Sequence, residues 1–330
     1  VEISEWWRVR SMEMRSVSPV PSGKRAVFAL KVEASMTTDE RWPAVTGELV
    51  VRVAVPRREP VGAVVLLHGY SEHSGRYGRA IRALVEAGLA VAAPDQAGHG
   101  RTGPRLGAIP PGAQLIADAL VVRRRLAQLV PDKPMFVVGN SMGGLVALGA
   151  LLREPAAFAG AVLQAPAIAM PHNVSAPMLA MAQGLGVVAP RLRIRPFFDA
   201  TQATRDEDFQ AWMKSDPLTY KGWVQAGTAM RSIALVRRVR SEVAQVRTPV
   251  LITHGSEDRR VRPEESEWLE GELAGPVSRI VFRGLRHEAH QEPEGMQVIQ
   301  AWVDWIQERI LAGDGPPPPA PEFGDAVAAP

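Results

Sequence analysis

The chain has 330 residues, 46% of them hydrophobic and 22% charged, which is enough to bury one large core or a core with an inserted subdomain. A formal net charge of +3 is small for that length, so no nucleic-acid partner is expected, and the basic runs 122–125 and 237–240 read as solvated helix faces. Zero cysteines exclude disulfides, thiolate chemistry and cysteine-ligated metal, and no apolar stretch reaches the ~18 residues of a membrane-spanning helix.

Residues 1–45 alternate weakly and are set apart as an N-terminal extension ending near Trp42-Pro43. Their start, Val1-Glu2-Ile3-Ser4-Glu5, is acidic with no apolar stretch behind it, which is not a signal peptide as written. The first residue is valine, leaving room for an earlier leader; a cytoplasmic location is the expectation. Gly47 to Val55 reads as a strand paired with the apolar run 61–67, which exits into His68-Gly69-Tyr70-Ser71. Ser74 to Gly88 reads as a helix and Leu89 to Ala93 as a strand. Ala113 to Leu129 reads as a helix carrying Leu115, Ile116, Leu120, Leu126 and Leu129 on one face. Such alternation predicts an α/β fold, a mostly parallel central sheet with helices on both faces and its site at the carboxyl ends of the strands.

Met135 to Val138 is the next predicted strand and Leu145 to Leu152 the next helix, and between them stands Gly139-Asn140-Ser141-Met142-Gly143-Gly144. A serine at a strand-to-helix turn, with Gly139 and Gly143 two positions either side, is the nucleophile elbow of an α/β-hydrolase. The alternation then breaks over 171–246, too long for one connection, and this stretch is expected to be a mostly helical cap inserted over the elbow. Its apolar residues include Met178, Leu179, Leu185 and Val188, candidates for the roof of an acyl pocket. Core strands and helices resume over 247–312, and the proline-rich tail 313–330 is too polar to fold.

An elbow serine needs a carboxylate and a histidine after it in the chain. The apolar run 248–253 empties into His254-Gly255-Ser256-Glu257-Asp258, and 278–282 empties into Gly284-Leu285-Arg286-His287. Asp258 and His287 are the candidate partners of Ser141, with Glu257 and His290 as adjacent rivals that rank lower on spacing. The oxyanion of a tetrahedral intermediate would be held by two backbone N–H groups, of Met142 after the nucleophile and of Tyr70 after the earlier strand.

The segments His68 to Tyr77, Asp95-Gln96-Ala97-Gly98-His99-Gly100, the elbow, Ser215-Asp216-Pro217-Leu218 and Gly284 to Glu288 together resemble the monoacylglycerol lipases and their lysophospholipase-like relatives. These belong to the serine aminopeptidase S33 (Hydrolase_4) group of α/β-hydrolases. The resemblance runs from about Gly62 to about Ile310 and places the family's triad and oxyanion amides on Ser141, Asp258, His287, Tyr70 and Met142. It departs in three places. Asn140 stands where the family has histidine, Tyr70-Ser71 where it has a small residue and glycine, and Gln96-Ala97 where it has arginine-glycine.

The expected activity is therefore hydrolysis of single-acyl-chain esters, most readily monoacylglycerols, without a metal or organic cofactor and with transient lipid-surface contact through the cap. A small-ester carboxylesterase, a lysophospholipase and an S33-type aminopeptidase remain alternatives. The last draws on Asp206, Glu207 and Asp208, carboxylates in the cap that would hold a substrate amine or simply start a helix. A dehalogenase of this fold would place aspartate at the nucleophile position, where this chain has serine.

Overall fold

The computed structural model describes residues 35–103, 106–168, 184–196 and 199–313. Strands β1 (Ser35–Ala44) and β2 (Gly47–Pro56) form an antiparallel hairpin that opens the described chain. Its turn is held by Asp118, whose carboxylate accepts the N–H groups of Val45 and Thr46 at 2.8 and 3.1 Å. β1 thus lies within the 1–45 stretch, where it serves as the outer strand of the main sheet.

The remaining strands are β3 (Gly62–Leu67), β4 (Leu89–Pro94), β5 (Met135–Asn140), β6 (Gly160–Gln164), β7 (Arg193–Pro196), β8 (Trp223–Gln225), β9 (Val250–Gly255) and β10 (Val277–Phe282). Eight strands make one sheet in the order β1-β2-β4-β3-β5-β6-β9-β10, parallel from β4 onward. The sequence suggested that β2 pairs with β3, and this is corrected: β2 pairs with β1 and with β4, through Val51↔Pro94 and Val53↔Ala92. β3 is apolar on both faces, so it belongs in the interior of the sheet, with β4 and β5 parallel on either side.

The two faces of β3 show how the core divides. Ala63, Val65 and Leu67 join a cluster under helices α2 (Gly112–Leu129) and α3 (Met142–Arg153). Val64 and Leu66 point the other way, towards α1 (Gly78–Glu86) and the C-terminal helix Gly295–Ala312, whose Trp302 is completely buried. Burying each such large side chain contributes ~1.5–3 kcal/mol, and both helical layers do so along the length of the sheet.

Within 171–246 the described residues are not purely helical. Residues 184–188 form a short helical turn, Ala200–Ala203 another, and α4 (Glu207–Ser215) and α5 (Ala226–Glu242) are longer. β7 and β8 pair as a separate antiparallel ribbon. α5 packs on α2 and α3 through Leu235, Val236 and Val239, tying this region to the core. Asp206 caps α4 by accepting the Phe209 N–H at 2.9 Å, and Glu207 and Asp208 occupy the first turn, where carboxylates complement the helix dipole. The carboxylate cluster is therefore a helix start. Residues 314–330 of the expected disordered tail lie outside the described residues, and among the described residues no helix is long and apolar enough to cross a membrane.

Candidate active site

Because β3, β5, β6, β9 and β10 run parallel, their exits gather at one edge of the sheet. β5 ends at Asn140, and Ser141 follows with φ 51° and ψ −113°, a left-handed conformation that costs a non-glycine residue of order 1–3 kcal/mol. The turn closes only because its flanks lack side chains. A Cβ on Gly143 would stand 2.0 Å from the Leu67 carbonyl oxygen, and one on Gly139 would stand 2.5 Å from that of Gly143. The Ser141 N–H donates to the Gln164 carbonyl at 2.9 Å, and its own carbonyl accepts from Ala167 N–H at 2.9 Å. Met142 is the first residue of α3, where backbone N–H groups have no partner within the helix and carry its positive dipole end.

β3 delivers the facing loop. A Cβ on Gly69 would stand 3.2 Å from the Ser141 Cβ, so this loop lies against Ser141, and the Tyr70 amide comes next in the chain. His68 holds the loop from beneath. Its Nδ1 contacts the Gly69 carbonyl at 2.7 Å and its Nε2 accepts from Gln96 N–H at 2.8 Å. Burial, first, and the nearby His99 push His68 down to about 3, so it is neutral and can accept that bond.

The carboxylate and imidazole come from the two loops at the far side. Ser256 N–H donates to Phe282 carbonyl and Glu257 N–H to Leu285 carbonyl, both at 2.9 Å, which stitches the β9 and β10 exits together. Asp258 then meets His287, whose Nδ1–H donates to Oδ2 at 2.7 Å. The carboxylate accepts further bonds from Arg260 and Val261 N–H at 2.8 and 3.0 Å and from His254 Nε2 at 3.1 Å. Burial opposes its ionisation, but the adjacent His287 and the bonds from His254 and His287 outweigh this and hold Asp258 well below the usual carboxylate range. An ionised carboxylate only accepts, so Nδ1 of His287 carries the proton and Nε2 is left as a base. Gln164 joins both halves. Its carbonyl accepts from Ser141 N–H, and its side-chain amide donates to the His287 carbonyl at 3.4 Å.

The neighbouring candidates differ in setting. Glu257 is exposed, while His290 is buried, with its ring stacked on Tyr77 at 4.9 Å and 5.4 Å from Trp302. Neither His290 nitrogen has a hydrogen-bond partner among the described residues. Of the pocket candidates, Leu185 is half-buried in the 184–188 turn and Val188 is 79% exposed to solvent; Met178 and Leu179 lie outside the described residues.

Sequence reasoning missed the supporting groups. Gln164 is braced by Thr253 Oγ1 at 2.8 Å, itself accepting from Trp302 Nε1 at 3.0 Å. Glu72 lies between the loop and the elbow, accepting from Asn140 Nδ2 and the Tyr77 hydroxyl, each at 2.8 Å. Burial, and then the charge of Glu288, push Glu72 up to about 8. A polar residue closing an otherwise apolar strand, as Gln164 and Asn140 do, was the available signal.

Comparison with known proteins agrees with this fold. Residues 58–294 match the family model described as Hydrolase_4, serine aminopeptidase, S33. The monoacylglycerol lipase of Mycolicibacterium smegmatis is 33% identical over 279 residues, covering 84% of this chain and 99% of that protein. Human monoglyceride lipase is 28% identical over 276 residues, covering 82% and 90%. The crystal structure of Paleococcus ferrophilus monoacylglycerol lipase superposes with a TM-score of 0.70 at 29% identity, over 79% of this chain and 99% of that one. The chain belongs to the Hydrolase_4 (serine aminopeptidase, S33) family of α/β-hydrolases, in its monoacylglycerol lipase and lysophospholipase-like branch, and is a carboxylic ester hydrolase.

Proposed function

We propose that this hydrolase cleaves single-acyl-chain esters, most readily monoacylglycerols, through Ser141, His287 and Asp258. The observation that carries the proposal is the Asp258–His287 pair at 2.7 Å, facing the same edge of the sheet at which Ser141 is held in its strained turn. Ser141 Oγ attacks the ester carbonyl as His287 Nε2 takes its proton, and Asp258 keeps the imidazole in the required tautomer. The Tyr70 and Met142 amides receive the oxyanion. His287 next protonates the departing alcohol, then draws a proton from water to release the acid. Side chains and backbone amides carry every step.

The substrate class follows from the roof and from the relatives. The cap's apolar residues, Leu185 among them, would cover one acyl chain at ~0.8 kcal/mol per methylene. Two of the relatives are a monoacylglycerol lipase and a monoglyceride lipase. Val187, Val188, Leu192 and Trp223 are 71, 79, 45 and 47% exposed, and Arg191 and Arg193 stand among them. Apolar side chains with interspersed cations suit brief contact with an anionic lipid surface. The aminopeptidase reading is weaker, because Asp206 already caps a helix.

The test is a panel of p-nitrophenyl esters, monoacylglycerols, lysophospholipids and aminoacyl-p-nitroanilides, run on wild type and on Ser141→Ala. Monoacylglycerols should lead the panel, and the variant should lose on the order of 10⁴-fold in kcat while remaining folded. A fluorophosphonate probe should label wild type alone. Labelling that persists in Ser141→Ala would refute the nucleophile, and leading turnover of an anilide would refute the substrate class.

A further inference from the structure

Tyr70-Ser71 is where the cap meets the loop proposed to hold the oxyanion. Ser71 has φ 75°, a conformation that suits glycine, yet its side chain is in use. Its Oγ donates to the Tyr220 carbonyl at 2.5 Å, and the Tyr220 N–H donates back to the Ser71 carbonyl at 3.2 Å. The pair is a reciprocal clip between the β3 exit and the segment joining α4 to β8. The adjacent side chains reinforce it. The Tyr70 hydroxyl donates to the Gly107 carbonyl at 2.9 Å, which also accepts from Thr228 Oγ1 on α5 at 3.0 Å. The Tyr70 and Tyr220 rings meet edge to face at 6.0 Å, and a Cβ on Gly107 would stand 2.3 Å from the Tyr220 ring.

We propose that Ser71 and Tyr220 are positioning residues, through which the cap sets the direction of the Tyr70 N–H. This rests on the reading of that amide as an oxyanion donor. The donor's orientation turns on the backbone torsions either side of the Gly69–Tyr70 peptide, and Gly69 has no side chain to restrain them. His68 Nδ1 holds the Gly69 carbonyl of that peptide from beneath at 2.7 Å, and the residues that follow add the remaining restraint. Glu72 supplies it on the core side through Asn140, and Ser71 supplies it on the cap side through Tyr220. A clip elsewhere would only fasten the cap. Next to the donor, it makes cap placement and transition-state stabilisation one mechanical unit, because a donor displaced by a fraction of an ångström loses much of its effect.

Ser71→Gly tests this, since glycine accepts the left-handed backbone and removes the hydroxymethyl group that carries the clip's donor. Expected is a fall in kcat of roughly 10- to 100-fold on p-nitrophenyl acetate and on a long-chain ester alike, with KM held within about twofold. The affinity of an alkyl boronic acid, whose tetrahedral adduct at Ser141 occupies the oxyanion position, should fall by the same factor, and that of an uncleavable ether analogue should not change. A loss confined to KM of long esters would mean that the clip only shapes the acyl pocket, and a wild-type kcat would mean that it only fastens the cap; either overturns the proposal. Should Ser71→Gly fail to fold, Ser71→Ala, which removes the same hydroxyl and keeps the Cβ this backbone already carries, should lower kcat by a similar factor at constant KM, and an unchanged kcat overturns the proposal. Ser141→Ala separates the two levels. If it stays active, the underlying site reading fails; if it is inactive while Ser71→Gly equals wild type, only the clip fails.

Discussion

Asp258→Asn replaces one oxygen of a carboxylate with an amino group and removes its negative charge at nearly constant shape. Oδ1 can still accept from Arg260 and Val261 N–H as the amide carbonyl, so the local turn survives. At the other position an NH₂ group would face two donors, His287 Nδ1–H and His254 Nε2–H. His254 keeps a second acceptor, the Val261 carbonyl at 2.9 Å. His287 has no such alternative in this arrangement, so its ring adopts the other tautomer, accepts at Nδ1 and carries its proton on Nε2. That nitrogen can then no longer take a proton from Ser141. The expected loss in kcat is about 10⁴-fold, which at about 1.36 kcal/mol per decade corresponds to roughly 5 kcal/mol of transition-state stabilisation. The assay is kcat on a short p-nitrophenyl ester at neutral pH, with circular dichroism and thermal melting to confirm the fold. Retention of more than about a tenth of wild-type kcat, or a larger loss in Glu257→Gln than in Asp258→Asn, would refute the assignment.

Other expectations bear on the pocket and on buried titratable groups. Across an ester series kcat/KM should rise several-fold per added pair of methylenes until the pocket is full, at ~0.8 kcal/mol per methylene at most, and Leu185→Glu should blunt the rise while sparing acetate; a preference for acetyl esters would refute the acyl pocket. Burial lowers His290 and His68 to about 3 and His99 to about 4, so each is neutral in the fold. A folded-state value below the unfolded one gives stability that is present above ~6.5 and lost as pH falls towards 3–4, so the melting temperature should drop over that window and drop less in His290→Phe. Calorimetry from pH 7 to 4 checks this, and an undiminished slope in the variant would refute it. Glu72 is shifted the other way, up to about 8, so its contribution is present below ~4.5 and lost as pH rises through about 8. Glu72→Gln, an isostere of the protonated acid, should flatten the fall in stability between pH ~4.5 and about 8, and melting curves from pH ~4.5 to about 8 with the same slope as wild type would refute that.

Much of this arrangement is written locally. The two-faced apolar run of β3, the period of α2 and the glycines flanking Ser141 each follow from a few consecutive residues whose backbone geometry or burial pattern allows little else. Asp258 and His287 were legible for the same reason, since each follows a strand exit in a fixed order. Pairing was less legible. β2 has the composition of a hairpin strand, but alternation reports which face is buried and not which neighbour is hydrogen-bonded, so β4 rather than β3 lies beside it. The β7–β8 ribbon escaped notice because strands of four and three residues are too short to show a period.

Sequence alone determined the fold class, the order of the candidate catalytic residues and the shape of the elbow, all of which depend on short-range sterics and on apolar periodicity. Tertiary structure decided what holds those residues in place. Gln164 touches both Ser141 and His287, Glu72 reaches Asn140, and Ser71 clips to Tyr220, a partner 149 positions away. A polar side chain carries no local mark of its partner. The partner is chosen when packing of the sheet and cap closes water out and leaves each buried donor and acceptor to be satisfied by whatever group the fold has brought within reach.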